Sequence, residues 1–99
     1  MHRVRLGALA ERQLAHALAW YDVEAPEQVA RLLSSFEEAR KRVGSKPLLF
    51  RETEPGLRRV ALRTFPYHLW YAMDGDVVVI VAMTHFRQDT SRLASETEP

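Results

Sequence analysis

The chain has 99 residues, of which 46% are hydrophobic and 27% are charged, and its formal net charge is +1. This length predicts one domain over residues 1–99, with residues 95–99 as a disordered tail, and this composition excludes a chain that is disordered throughout. Cysteine is absent, which excludes a disulfide scaffold, a thiolate metal site and a cysteine nucleophile, and is typical of the reducing cytoplasm.

The first half of the sequence predicts a strand followed by two helices. Val4–Leu6 is a short strand candidate, and the apolar residues from Ala8 to Asp22 recur at helical spacing. Pro26 begins a second helix, whose apolar stripe runs until Gly44 ends it as a residue beyond the helix C-terminus. Because only about four residues join the helices, we expect an antiparallel hairpin.

The second half predicts a loop and then three strands. Lys46–Gly56 is interpreted as a loop, and the strands cover Leu57–Thr64, Tyr67–Met73 and Val77–Thr84. Asp74-Gly75 between two apolar runs is a strong hairpin signal. The apolar run from Val77 is far too short to span a membrane. The predicted fold class is therefore α+β: an N-terminal strand and an antiparallel helix hairpin packed on a small, mostly antiparallel sheet.

Two-residue hairpin loops would fix which residues share a face of this sheet. One face, covered by the helices, would then carry Val60, Leu62, Leu69, Tyr71, Val78, Ile80 and Ala82. The other would carry Arg59, Ala61, Arg63, His68, Trp70, Val77, Val79, Val81, Met83 and His85, with Arg87 just beyond. A face that is both apolar and basic indicates a protein partner. Alternatively, the N-terminal strand and the C-terminal tail cover it, and the arginines extend to solvent.

Few residues indicate catalysis. The four histidines (His2, His16, His68 and His85) lack metal-ligand spacing, and no nucleotide-binding or acyl-transfer motif occurs, so we expect neither a metal nor a cofactor. Arg63, Arg87 and His85 could together stabilise the transition state of RNA cleavage, because two arginines can hold phosphate oxygens while a histidine moves a proton. Equally, Arg63 could pair with an acidic residue and His85 could be a hydrogen-bonded edge residue.

Three stretches, in this order, resemble the RelE/ParE superfamily of small toxins. They are Ala19-Trp20-Tyr21-Asp22, the run from Leu62 to Tyr71 that contains Arg63-Thr64-Phe65-Pro66-Tyr67, and the run from Val79 to Leu93 that contains His85-Phe86-Arg87-Gln88-Asp89. The resemblance implies a β-α-α-β-β-β fold and the toxin role of a type II toxin–antitoxin pair. RelE-type members resemble ribosome-dependent ribonucleases that need no metal, whereas ParE-type members poison DNA gyrase.

The resemblance is closer to ParE-type toxins. Arg63 and Arg87 match phosphate-binding arginines of RelE-type enzymes, but Leu93 stands where those enzymes carry a catalytic tyrosine, and Lys46 is the last lysine of the chain. The resemblance thus implies a gyrase-binding toxin without firm catalytic residues. The alternatives are a RelE-like nuclease acting on messenger RNA in the ribosome through Arg63, Arg87 and His85, and a binding module without toxicity.

The partners implied are a cognate antitoxin and DNA gyrase, with DNA contacted only through the antitoxin and with no membrane. The expected target-binding residues are Arg59, Arg63, His85, Arg87, Arg92 and Leu93. The expected antitoxin-binding residues are Trp70, Val79, Val81 and Met83.

Overall fold

The computed structural model describes residues 1–91 and Leu93. The elements are strand β1 (Arg3–Leu6), helix α1 (Ala8–Glu24), a short 3₁₀ turn (Pro26–Gln28), helix α2 (Val29–Ser45), and strands β2 (Glu52–Glu54), β3 (Leu57–Ala61), β4 (Tyr67–Asp74) and β5 (Val77–His85). The predicted α+β fold class is confirmed. The predicted disorder of residues 95–99 lies outside the described residues.

The five strands form one sheet in the order β1-β5-β4-β3-β2. Strand β1 is parallel to β5, and the other three pairings are antiparallel. A parallel pair requires a long connection, and here the connection contains the helix hairpin and three strands. The N-terminal strand β1 therefore lies at the edge of the sheet beside β5, the last strand in the sequence. Helix α1 begins just after β1 ends.

The helices differ slightly from their predicted bounds. Pro26 begins a 3₁₀ turn, and the α-helix itself begins at Val29. Gly44 lies inside α2, which ends at Ser45, so its predicted role beyond the helix C-terminus is wrong. A Cβ atom on Gly44 would lie 2.9 Å from Val4 Cγ2 and 3.3 Å from the His2 carbonyl oxygen. Glycine is therefore needed here because β1 passes close to the helix, not because the helix turns left-handed.

The predicted loop at Lys46–Gly56 contains a strand. β2 is only three residues long and polar, and it pairs with the edge of β3 through Glu52 and Arg58. β3 ends at Ala61, three residues earlier than predicted, because the chain turns at Thr64, whose φ is +67°. In the last hairpin Asp74 pairs with Val77, so the turn residues are Gly75 and Asp76 and not Asp74-Gly75.

The main core lies between the helices and one face of the sheet. Leu69, Tyr71 and Ile80 from the sheet and Leu32 from α2 are fully buried there. The Tyr71 hydroxyl donates a 2.6 Å hydrogen bond to the Pro47 carbonyl oxygen and so ties the segment after α2 to the centre of the sheet. Within the described residues, no helix combines the length and the apolar character that a bilayer crossing requires.

Candidate functional site

A β-bulge in β5 reverses part of the predicted sheet pattern. Trp70 is paired with Ala82, but the next residue, Tyr71, is paired with Ile80, so Val81 is an extra residue in the strand. Beyond it, Met83 lies in the core beneath the helices, and Ala82 lies on the opposite face, called here the outer face. The predicted outer position of Met83 and His85 and the predicted inner position of Ala82 are therefore wrong, because each residue past a bulge changes sides.

The centre of the outer face is a small second core around Trp70. Leu57, Ala82 and Leu93 pack with Trp70, which is only 5% exposed. The indole nitrogen donates a 2.8 Å hydrogen bond to the Thr84 hydroxyl, and the Arg59 guanidinium lies 5.3 Å from the ring centroid. Arg59 and Trp70 thus lie on the predicted face. The alternative expectation was that the N-terminal strand and the C-terminal tail cover this face. At the centre of the face the structure agrees with the tail part of it, because Leu93 is buried there.

This burial limits the expected antitoxin-binding set. Trp70, Val79 and Met83 are buried within the chain, and only Val81, the bulge residue, is half-exposed. Leu93, expected to bind the target, is also buried. Arg92 lies outside the described residues. A partner seated on the outer face can therefore reach Val81 directly, whereas Trp70 and Val79 are buried and Met83 lies in the main core beneath the helices.

One end of the outer face is open and basic. The His68 and Phe86 rings lie 4.5 Å apart, and Phe86 is 50% exposed. Burial, and secondly the positive charge of Arg59, lower the pKa of His68 below its ordinary value of 6.5. Arg87 follows Phe86 and is exposed. The accessible part of the outer face thus offers an aromatic pair with arginines nearby, and this arrangement suits an acidic or nucleic-acid surface.

Arg63 does not belong to this surface. Its guanidinium lies 3.5 Å from Glu38 of α2, and its carbonyl oxygen accepts a hydrogen bond from the Ser35 hydroxyl. With Arg31 and Phe65, these residues line a cleft of about 910 Å³ beside α2. The predicted position of Arg63 on the outer face is therefore wrong. The alternative expectation, that Arg63 pairs with an acidic residue, is confirmed by its contact with Glu38.

His85 lies in a different groove, between α1 and the end of β5. This groove has a volume of about 660 Å³, and Arg12, His16 and Trp20 line its α1 side. The Nδ1 atom of His85 accepts a hydrogen bond from the Arg87 backbone N–H at 3.1 Å, so in neutral His85 the proton is on Nε2. The structure thus places Arg63 and His85 in separate clefts.

A tyrosine pair forms the floor of this groove. The Tyr67 ring packs edge-on against His85, at a centroid distance of 5.5 Å. Burial raises the pKa of Tyr67 above 10.0, and the neighbouring Tyr21 raises it further through its charge and its hydrogen bond. The Tyr67 hydroxyl therefore stays protonated near neutral pH and acts as a neutral hydrogen-bonding group.

Sequence reasoning missed Gln13. Its side-chain oxygen accepts a 2.7 Å hydrogen bond from the Met83 backbone N–H, just past the bulge. Nothing in the sequence indicates this contact, because a glutamine on a helix is ordinarily a solvent-facing residue. Among the described residues, no group of three or more histidine, aspartate or glutamate side chains is placed to hold a metal ion.

Comparison with known proteins supports the fold and the motifs. No protein-family model matches the chain. Two relatives, both named Toxin ParE2 and from two strains of Mycobacterium tuberculosis, are each 28% identical over 95 residues, which is 95% of this chain and 90% of the relative. A solved structure, the chromosomal ParDE TA system from P. aeruginosa, has a TM-score of 0.73 at 19% identity, and the match covers 86% of this chain and 96% of that chain.

The fold and the full-length similarity place the chain among the small toxins of type II toxin–antitoxin systems. Within that class the chain is similar to the ParE-type toxins, the branch of the RelE/ParE superfamily that the three sequence stretches resemble.

Proposed function

We propose that this chain poisons DNA gyrase by binding it, without catalysing a reaction, and that a cognate antitoxin neutralises it. The observation that carries the proposal is the similarity to Toxin ParE2 along 95% of the chain. We place this action in the cytoplasm, where gyrase works, and we expect the chain to meet regulatory DNA only through its antitoxin.

The positions of the three candidate catalytic residues favour binding over RNA cleavage. Metal-free cleavage needs a proton-transfer group and phosphate-holding cations around one phosphorus atom. Arg63 is paired with Glu38 beside α2, His85 faces the α1 groove, and Arg87 is exposed beyond β5. Leu93, at the position of the RelE-type tyrosine, is buried in the second core. This dispersed arrangement supports a non-enzymatic toxin.

The open end of the outer face is the surface we assign to gyrase. It offers the exposed ring of Phe86 together with Arg59 and Arg87, and aromatic and arginine side chains dominate the energetics of protein interfaces. Leu93 supports this surface from beneath by packing on Trp70. Arg63, which is 69% exposed, adds a second cationic position on the α2 side.

A supercoiling assay with purified gyrase and relaxed plasmid tests the proposal. We expect the chain to inhibit supercoiling and to trap gyrase on cleaved DNA, so that linear plasmid appears after the protein is denatured and digested. Arg87→Glu should weaken this inhibition at least about tenfold, because charge reversal at an interface rim opposes association. Lys41→Glu, a charge reversal on the exposed side of α2, is the matched control and should retain inhibition.

Unimpaired supercoiling at a large molar excess of the chain would contradict the proposal. Induction of the chain alone in cells separates the alternatives. An arrest of replication supports gyrase as the target. An early arrest of translation, with codon-position cuts in messages that vanish in Arg87→Ala, indicates the RelE-like nuclease, and undisturbed growth indicates a non-toxic binding module.

A further inference from the structure

The end of the helix hairpin carries an exposed acidic patch, called here the acidic tip (residues 22–27). Asp22, Glu24 and Glu27 are exposed there, and within the described residues none of them has a basic partner. Asp22 and Glu24 lie in the last turn of α1, where the helix dipole disfavours negative charge. Val23, between them, is 78% exposed. These three residues add nothing to the stability of the chain's own fold, which indicates a contact with another molecule.

An exposed basic segment follows α2 and is called here the basic turn (residues 46–51). Leu48 and Leu49 are each 69% exposed, and Lys46 and Arg51 lie on either side of them in the sequence. In the part of the chain that the structure describes, neither cation is paired with a carboxylate. Two adjacent exposed leucines between unpaired cations suit an acidic partner that has an apolar anchor.

The sheet holds the basic turn in place. The Tyr71 hydroxyl donates a hydrogen bond to the Pro47 carbonyl oxygen at 2.6 Å, and the Arg58 guanidinium donates one to the Phe50 carbonyl oxygen at 2.7 Å. A turn that is fixed from two sides loses little conformational entropy when a partner binds.

A cleft of about 320 Å³ lies between the basic turn and α2. Leu49 and Phe50 form its apolar part, and Lys46 adds positive charge. The acidic residue that lines it, Glu38, is already paired with Arg42 at 2.6 Å. The cleft can therefore take up an aliphatic side chain whose neighbours are carboxylates.

The acidic tip has this pattern, with Val23 between two carboxylates, but the tip and the turn of one chain cannot meet. They flank α2, whose 17 residues hold them about 25 Å apart, and the whole molecule is 37 Å in its longest dimension. Between two copies, the tip of one can reach the turn of the other. Opposite charges, and an apolar anchor in a cleft, then complement each other.

We propose that the free toxin binds a second copy of itself head to tail, with the acidic tip of one copy on the basic turn of the next. Val23 enters the cleft beside Leu49, and Glu24 faces Lys46. Because the two surfaces differ, a pair keeps one tip and one turn unoccupied, and further copies can add. The contact is small, so we expect a dissociation constant on the order of 0.1 mM. The inference is independent of the antitoxin and of the toxin's target.

Sedimentation velocity of the wild-type chain over a concentration series tests the self-association. The average mass should exceed the 11.4 kDa of one chain as the concentration passes about 0.1 mM. It should return toward that value in about 1 M salt, which screens the charges. A chain that remains monomeric at about 1 mM would overturn the inference.

Charge exchange tests which surfaces meet. Glu24→Lys and Lys46→Glu should each weaken self-association about tenfold, because like charges then face each other. An equimolar mixture of the two variants should recover it, since the altered tip of the first fits the altered turn of the second and their other surfaces are unchanged. Asp76→Lys, which reverses an exposed charge in the β4–β5 turn, is the matched control and should associate like the wild type. A mixture as weak as either variant alone would refute the head-to-tail contact.

Removal of the apolar anchor gives an independent test. Val23→Ser alters only an exposed side chain, so this variant should fold normally by circular dichroism but associate about tenfold more weakly. Unchanged association in Val23→Ser would contradict the inference. So would a monomeric wild-type chain in which Glu24→Lys and Lys46→Glu each abolish binding of the antitoxin or of gyrase, because the two surfaces would then belong to that partner.

Discussion

Replacing Tyr71 by phenylalanine isolates the hydrogen bond that ties the segment after α2 to the sheet. Tyr71 is fully buried, and its hydroxyl donates to the buried Pro47 carbonyl oxygen at 2.6 Å. Phenylalanine keeps the ring and creates no large cavity, but it leaves the carbonyl group without that donor. We expect the free energy of unfolding to fall by about 1–3 kcal/mol, and each kcal/mol lost should lower the Tm of a domain of this size by about 4–8 °C.

Urea unfolding followed by circular dichroism measures this change, with Tyr67→Phe as the matched control. Tyr67 is only half-buried, and its hydroxyl meets that of Tyr21, so its loss should change stability by less than about 1 kcal/mol. The slope of free energy against urea should be equal in all three proteins. A Tyr71→Phe protein as stable as the wild type would refute the reasoning, because it would mean that the Pro47 carbonyl group is satisfied by water.

The same tyrosine predicts a loss of stability at alkaline pH. Burial raises the pKa of Tyr71 from 10.0 to about 12, although the nearby positive charge of Arg58 opposes this rise. Between these values the unfolded chain releases the proton while the folded chain retains it, so the free energy of unfolding falls as pH rises through this window. Tyr71→Phe should show a shallower fall between about pH 10 and about pH 12, and an unchanged slope would contradict the assignment.

Three further substitutions test the packing. Trp70→Asp should unfold the chain, because it removes a buried ring worth about 3–5 kcal/mol; a folded Trp70→Asp protein by circular dichroism would contradict the second core. Gly44→Ala should cost about 1–3 kcal/mol, because its Cβ meets Val4 and the His2 carbonyl group, and thermal unfolding measures this loss. Arg63→Ala should change stability by less than about 1 kcal/mol, since its ion pair with Glu38 is largely exposed; any larger loss in urea unfolding would place Arg63 in a structural role.

The helices and four of the five strands (β1, β3, β4 and β5) could be predicted from their apolar patterns. The apolar positions of α2 repeat every three to four residues, and Leu32, Phe36 and Val43 are all buried. β2 could not be predicted, because Glu52–Glu54 is a short polar edge strand that exists only through its pairing with β3.

The residues on each face of the sheet were harder to predict than the fold, because the facing of the end of β5 depends on one extra residue, Val81. The run from Val77 to Met83 is apolar throughout, so the sequence carries no alternation from which a bulge at Val81 could be inferred. That bulge transfers Met83 to the core and turns His85 toward the α1 groove. Arg63 was misplaced for a similar reason, since β3 ends at Ala61 and no longer dictates the direction of later side chains.

The pairing of the first strand with the last has a consequence for synthesis of the toxin. β1 and the start of β5 lie about 74 positions apart in sequence, as the contact between His2 and the Asp76 carbonyl group shows. On the ribosome, β1 therefore waits until about 74 further residues have been translated before its neighbour exists, and contacts of such separation form slowly. The nascent toxin should remain inactive during this interval, and an antitoxin already present in the cell has time to meet it before it folds.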